Sequence, residues 1–305
     1  MPVATVPRLG FLGVGWIGRS RLEAIERAGA GIVAAVADPA VDDALGSYDE
    51  LLERELDGVV IATPSALHAE QAIAALELGL PVFVQKPVGR TAGEVRSVVA
   101  AAERADVPLG VDLAYRHADA FVEAREQVRC GAVGDVFAAE LVFHNAYGPD
   151  KPWFRDPKLA GGGCVIDLGI HLVDLAVWTL GLTPRDVRSR LLGTPVETWA
   201  TAELDHVRLA CSWDLHAGRD AVIEATFLGE DGTVRVANVG GSFYDFRCEL
   251  LRGTSREALV EPPDAWPGRA AVAWARRVAA GAGFDAAEGA ELVRVAEILD
   301  RIYGR

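Results

Sequence analysis

Three ionisable side chains interrupt an otherwise apolar helical stretch. Gly161-Gly162-Gly163 precedes Cys164–Leu180, and inside that stretch Asp167, His171 and Asp174 stand four and three residues apart. Those spacings put the three on one helix face, while the apolar circumference predicts burial of the helix as a whole. Burying charge without partners is costly, so the stripe needs a reason. One reason is structural, a satisfied Asp–His pair bracing two domains. The other is chemical: His171 as a general base, with Asp167 setting its tautomer and basicity. Histidine suits proton transfer near neutrality because its ordinary pKa is about 6.5. A second candidate is Lys86, which ends an apolar run just before Pro87. A compact cation there can hydrogen-bond an alcohol oxygen and stabilise developing alkoxide charge; the bland alternative is a solvated surface lysine.

The elements that must hold these groups begin at the N-terminus. An apolar run, Arg8–Val14, leads into Gly13-Val14-Gly15-Trp16-Ile17-Gly18, then a helical pattern through Arg27, then a second apolar run, Ile32–Ala37, closed by Asp38. Strand, glycine turn, helix, strand and acidic residue in this order form a dinucleotide-binding fingerprint. Gly13 permits the turn, Gly15 lets the backbone approach a pyrophosphate, and Gly18 lets the helix close on the sheet. The helix N-terminus offers N–H donors and a favourable dipole to the phosphates. Asp38 suits the adenosine ribose hydroxyls and would repel a 2′-phosphate, and no Arg or Lys follows it closely. NAD is therefore expected over NADP.

Alternation continues with strand-like Gly58–Ala62, helical Ala66–Leu78, strand-like Pro81–Gln85, a helix through Ala105 opened by a Thr91/Glu94 capping box, and strand-like Pro108–Leu113. This predicts a doubly wound parallel sheet, a Rossmann domain over residues 1–118, binding ligands at its carboxyl strand ends. Three loops leave those ends: Thr63–His68, Gln85–Pro87 and Ala114–His117. Gly13, Gly15, Trp16, Ile17, Gly18, Asp38, Thr63, Pro64, His68, Gln85 and Lys86 form the candidate cofactor set. Residues 119–305 read differently. Phe121–Arg129 is helical; Val136–His144 then alternates with Phe137, Ala139, Leu141 and Phe143 on one face, and similar alternation marks Val207–Asp214, Ala221–Leu228, Thr233–Asn238 and Phe243–Leu251. Glu230-Asp231-Gly232 is a hairpin turn, and helical segments Ala270–Ala280 and Ala286–Ile302 end the chain. The whole is α/β: a Rossmann domain plus an α+β substrate and oligomerisation domain with an open-faced, largely antiparallel sheet.

Net charge is −14 with scattered basic residues, which disfavours nucleic acid. No stretch reads as apolar and charge-free enough to span a bilayer, and the first residues lack a secretory pattern, so a soluble cytoplasmic protein is expected. Cys130, Cys164, Cys211 and Cys248 lack metal-ligand spacing and are expected to be reduced and buried; no metal site is expected.

GVGWIG at 13–18, ATPSALH at 62–68, QKP at 85–87 and GGGCVIDLGIH at 161–171 run in the order of one family. The chain resembles the glucose–fructose oxidoreductase/inositol dehydrogenase/rhizopine catabolism (Gfo/Idh/MocA) family of NAD(P)-dependent oxidoreductases. The resemblance implies catalytic roles for Lys86, Asp167 and His171, a homo-oligomer (dimer or tetramer), and hydride transfer between NAD(P) and a secondary alcohol or ketone of a sugar, inositol or sugar nucleotide. An NAD-dependent glycosidase using transient oxidation and a non-catalytic dinucleotide sensor are the alternatives on this scaffold. Tyr115, Arg116, Trp153, Arg155 and Lys158 are candidate substrate contacts. The sequence departs from the family at Gln85, where Glu is usual, in the short stretch between Asp38 and Gly58, and in a short C-terminal part.

Overall fold

The computed structural model describes residues 6–305; residues 1–5, where the reading of a missing secretory pattern starts, lie outside the described residues. Five short strands, β1 (Arg8–Leu12), β2 (Ile32–Ala37), β3 (Gly58–Ile61), β4 (Val82–Val84) and β5 (Leu109–Val111), form a parallel sheet in the order β2-β1-β3-β4-β5. Every residue of β3, β4 and β5 is buried, as a parallel sheet covered on both faces requires. The connecting helices are α1 (Trp16–Arg27), α2 (Tyr48–Leu52), α3 (Ser65–Glu77) and α4 (Ala92–Ala105). The short stretch after Asp38 does trim a helix, leaving only α2, capped by Ser47. Thr91 caps α4 as expected, accepting from Glu94 N at 3.2 Å, but the capping box is incomplete: the Glu94 carboxylate takes Arg90 N at 2.7 Å instead.

The second sheet has eight strands: β6 (Val136–Asn145), β7 (Val187–Leu192), β8 (Trp199–Leu204), β9 (Val207–Ser212), β10 (Ala221–Gly229), β11 (Thr233–Asn238), β12 (Phe246–Arg252) and β13 (Ser255–Val260). Their order is β13-β12-β11-β10-β6-β9-β8-β7, antiparallel except for the parallel pair β6–β9. The Glu230–Gly232 turn joins β10 to β11, closed by Gly229 N donating to Gly232 O at 2.9 Å. Ala139, Leu141 and Phe143 point into the core, but Phe137 is 58% exposed, contrary to the alternation. The register explains it. Ala138 faces Leu228 and Val136 faces Gly229, so Phe137 is the extra residue of a bulge and turns outward. The helices of this half are α5 (Asp119–Arg129), α6 (Pro157–Ala160) and α7 (Ile170–Leu180), followed by α8 (Arg269–Ala279) and α9 (Ala286–Tyr303).

The apolar stretch expected as one helix from Cys164 is in two parts: a π-helical turn, Val165–Gly169, then α7. The helical run Pro157–Leu180 also corrects the expectation about membranes, since its mean hydropathy of 1.6 and its length meet the requirement for a span. Burial within the fold covers 78% of its most apolar window, which accounts for the composition. Cys130 departs from expectation too: it is exposed, whereas Cys164, Cys211 and Cys248 are buried.

Two compact units divide the chain, residues 1–114 with 267–293 and residues 115–266 with 294–305. The chain passes into the second unit after residue 114 and returns to the first at 267, a return with no signal in the sequence. Trp274 on α8 is the physical reason. It is 2% exposed, packs on Phe83 with ring centroids 5.8 Å apart, and donates Nε1–H to Pro108 O at 3.3 Å. Gly58 and Gly110 leave the slot its indole fills.

Candidate functional site

In the first unit the glycine turn follows β1. Gly13 has φ of 82°, and a Cβ on Gly18 would collide with the Gly13 carbonyl, so this turn demands glycine at both places. Helix α1 begins at Gly15 with no side-chain cap and no acidic residue in its first turn, which suits an anion at its N-terminus. Trp16 is 72% exposed there, and Ile17 is half-buried. The Asp38 carboxylate ties the end of β2 to this turn, accepting from Val14 N at 2.8 Å with one oxygen and from Ala40 N at 2.9 Å with the other. A cavity of about 260 Å³ adjoins it, walled by Val14, Leu22, Val36 and Val41 and edged by Arg19, Asp42 and Asp43. A cation absent from the residues after Asp38 in sequence is thus supplied in space by Arg19.

The strand-end loops carry the remaining candidates of this unit. Thr63 donates Oγ1–H to Gln71 Oε1 at 2.6 Å, and Pro64 caps α3. His68, expected among the cofactor contacts, is 1% exposed, with one ring nitrogen 2.7 Å from Pro87 O and the other 2.7 Å from Thr63 O. It braces two loops, and burial holds its pKa below the ordinary histidine value. Gln85 is buried, with its side-chain amide donating to Asp112; Lys86 is half-buried.

The second unit carries the polar stripe, and the structure gives each member a different neighbour. Asp174, 1% exposed, is paired with Arg116 through contacts of 2.6, 3.0 and 3.1 Å. Arg116, a candidate substrate contact, is therefore engaged with the helix instead. Asp167 lies on the π-helical turn and accepts Trp213 Nε1–H at 3.0 Å. His171 stands one residue into α7 with its ring edge-on to Tyr115, centroids 5.0 Å apart. Tyr115, also a candidate substrate contact, is buried among Phe121, Phe143, Phe246 and Trp266, and burial pushes its hydroxyl pKa up. Its role in this arrangement is packing against the histidine. Trp153 stacks on Phe154 at 3.8 Å, Arg155 reaches Asp214 at 3.3 Å and lies over Trp213, and Lys158 is exposed on α6. Cys164 is buried 3.8 Å from Cys211, and that thiol contact and burial hold its pKa high, the setting of a packing cysteine.

Sequence reasoning missed the group that seats this helix. Glu197, 6% exposed, accepts with Oε1 from Gly163 N at 2.8 Å, Val165 N at 3.0 Å and the Tyr303 hydroxyl at 2.7 Å. Its own carbonyl takes Cys164 N at 2.9 Å, and the Tyr303 oxygen takes Ile166 N at 3.2 Å. A Cβ on Gly162 would collide with Tyr303 and one on Gly163 with the Glu197 backbone. Three glycines in a row were the only sequence signal of so close a neighbour.

Residues 8–113 match a family described as oxidoreductase family, NAD-binding Rossmann fold, and residues 121–235 match the GFO/IDH/MocA C-terminal domain. The rhizopine catabolism protein MocA of Rhizobium meliloti is 31% identical over 227 residues, 71% of this chain and 70% of that one. The chain belongs to the Gfo/Idh/MocA family. Matches to three further curated relatives span only 43% to 60% of their lengths. Among solved structures, KijD10, a 3-ketoreductase from Actinomadura kijaniata in complex with NADP and TDP-benzene, superposes with a TM-score of 0.85 at 21% identity, covering 98% of this chain and 97% of that one. Levoglucosan dehydrogenase in complex with NADH and L-sorbose gives 0.83 at 18% identity, covering 98% and 96%. These likenesses establish the fold of this family member.

Glu197 generates a direct test. Glu197→Ala leaves buried N–H groups of Gly163 and Val165 without their acceptor and should cost about 2–4 kcal/mol, read as a lower thermal midpoint. Glu197→Gln, which keeps an acceptor oxygen, should lose less. Equal midpoints for wild type and Glu197→Ala would remove the clamp from the account.

Proposed function

We propose that this chain oxidises a secondary alcohol of a sugar-like substrate, or reduces the matching ketone, with a nicotinamide dinucleotide. The observation that carries the reading is the setting of the stripe: Arg116 pairs with Asp174, Trp213 donates to Asp167, and His171 sits half-buried against an aromatic wall. The glycine turn, the uncapped start of α1 and Asp38 fit the dinucleotide, and the cavity beside Asp38 fits its adenosine end. The names of the relatives support carbohydrate-like substrates.

When bound, the cofactor supplies the acceptor for a hydride at its nicotinamide ring. In this reading the chain's own residues manage the oxygen. Lys86 donates a hydrogen bond to the substrate hydroxyl and stabilises negative charge as it develops. His171 takes the hydroxyl proton onto its imidazole while the carbon loses its hydride, so the products are a ketone, a protonated histidine and reduced cofactor. Asp167, held by Trp213, favours the protonated histidine electrostatically. The reverse direction uses the same groups in the opposite sense.

NAD is the cofactor we propose, because Asp42 and Asp43 outnumber Arg19 at the cavity edge and Asp38 closes the strand beside it, a set of carboxylates that opposes a 2′-phosphate. Titrating NAD and NADP against tryptophan fluorescence, for which exposed Trp16 is a local reporter, should show tighter NAD binding. Tighter NADP binding would refute it. We also propose a homo-oligomer formed through the half-exposed face of the second sheet, where Val142, Val222 and Leu228 lie among the Glu140–Arg208 and Glu224–Arg235 pairs. Sedimentation at micromolar concentration should show more than one chain per particle, and a monomer there excludes it. For the mechanism, His171→Ala should lower hydride transfer by ~10²–10⁴ with little change in NAD affinity. A screen of polyols, sugars and sugar nucleotides for NADH formation supplies the substrate. A folded His171→Ala enzyme with near-normal transfer would end this mechanism.

A further inference from the structure

A buried cluster stands beside Lys86. Arg21 of α1 donates Nε–H to Asp112 Oδ2 at 2.6 Å, with side chains 8% and 1% exposed, and the Gln85 amide donates to the same oxygen. The other carboxylate oxygen, Oδ1, is buried and has no hydrogen-bond partner among the described residues. The backbone is fixed as well: Gln85 N donates to Ile61 O at 2.9 Å and Asp112 N to Val84 O at 3.0 Å. On the far side of Lys86, Pro87 O is held by the His68 ring. Lys86 is thus the single residue between two anchored neighbours.

We propose that Asp112 and Gln85 are positioning residues for Lys86, and that glutamine stands at 85 because position 112 already carries the buried charge. The inference rests on the reading of Lys86 given above. One buried carboxylate balanced by Arg21 tolerates a neutral donor at 85. A glutamate there would set a second carboxyl against Asp112, and two carboxylates in one buried site cannot both ionise, so one would have to take up a proton. With Oδ1 already unpartnered, nothing in the cluster buffers the loss of the amide. Loosening position 85 releases one end of the short segment that aims the lysine, and small displacements of an aimed group are expensive in rate.

Lysine occurs only at positions 86, 151 and 158, which makes Lys86 easy to follow. The full chain, without cofactor and with saturating NAD, is labelled with acetic anhydride, and each lysine's acetylation is read by peptide mass spectrometry beside the thermal midpoint. Gln85→Glu should lower the midpoint and raise Lys86 labelling by about threefold or more relative to Lys151 and Lys158, as local opening becomes easier. Arg21 and Gln85 meet at the same oxygen, so a charge moved to 85 stays beside Arg21. Gln85→Glu with Asp112→Asn should accordingly return both readouts toward wild type, a non-additive rescue. Gln85→Glu without selective change at Lys86, or a double variant that merely sums the two singles, overturns the proposal. Lys86→Ala is assayed separately for hydride transfer: retained transfer would sink the role given to Lys86 while leaving the labelling result to judge the clamp.

Discussion

The stripe-bearing helix of the second unit depends on one buried carboxylate. Glu197 gathers the Gly163 and Val165 N–H groups and the Tyr303 hydroxyl onto one oxygen. A buried charge is tolerable only when several donors share it, and a helix start is where unpaired N–H groups are concentrated. Each requirement answers the other. With the start fixed, the π-helical turn bearing Asp167 and the first turn of α7 bearing His171 inherit their places. The glycines at 162 and 163 follow as a consequence, since any side chain would push Tyr303 or Glu197 away.

The first unit solves the same problem in the same way. Asp112 draws Arg21 and Gln85 onto one oxygen at the ends of β4 and β5, as Asp38 draws Val14 N and Ala40 N at the end of β2. In each case a carboxylate reaches between segments that are distant in sequence and pins the strand-end loops where parallel sheets bind ligands. The apolar core makes the strands; the carboxylates fix the loops.

What the sequence disclosed follows from this division. Elements made by local periodicity were legible: β2 and β11 match their expected bounds, and α1, α8 and α9 lie within a residue or so of theirs. The edge strands β7 and β13 were not, because they are largely exposed and show no apolar alternation. Phe137 misled because a bulge is decided by register against the partner strand, which local alternation does not show. Glu197 and Tyr303 could not be read locally, lying 34 residues beyond Gly163 and 141 beyond Gly162, as 197 − 163 and 303 − 162 show. The candidate residues were found by type and spacing; their partners were not, since pairing is decided by tertiary contact.

The stripe itself shows why partners matter more than spacing. As a uniform α-helix, Asp167, His171 and Asp174 would share one face and could be taken as a connected chain of titrating groups. The π-helical turn ends just before α7, so Asp167 belongs to a segment wound differently from the one carrying His171 and Asp174. Asp174 is then neutralised by a bidentate guanidinium, the geometry that best satisfies a buried carboxylate. Asp167 receives an indole N–H, which lowers the cost of its charge without cancelling it. In the proposed reading Asp174 is paired off by Arg116, and Asp167 is the carboxylate left to act on the histidine.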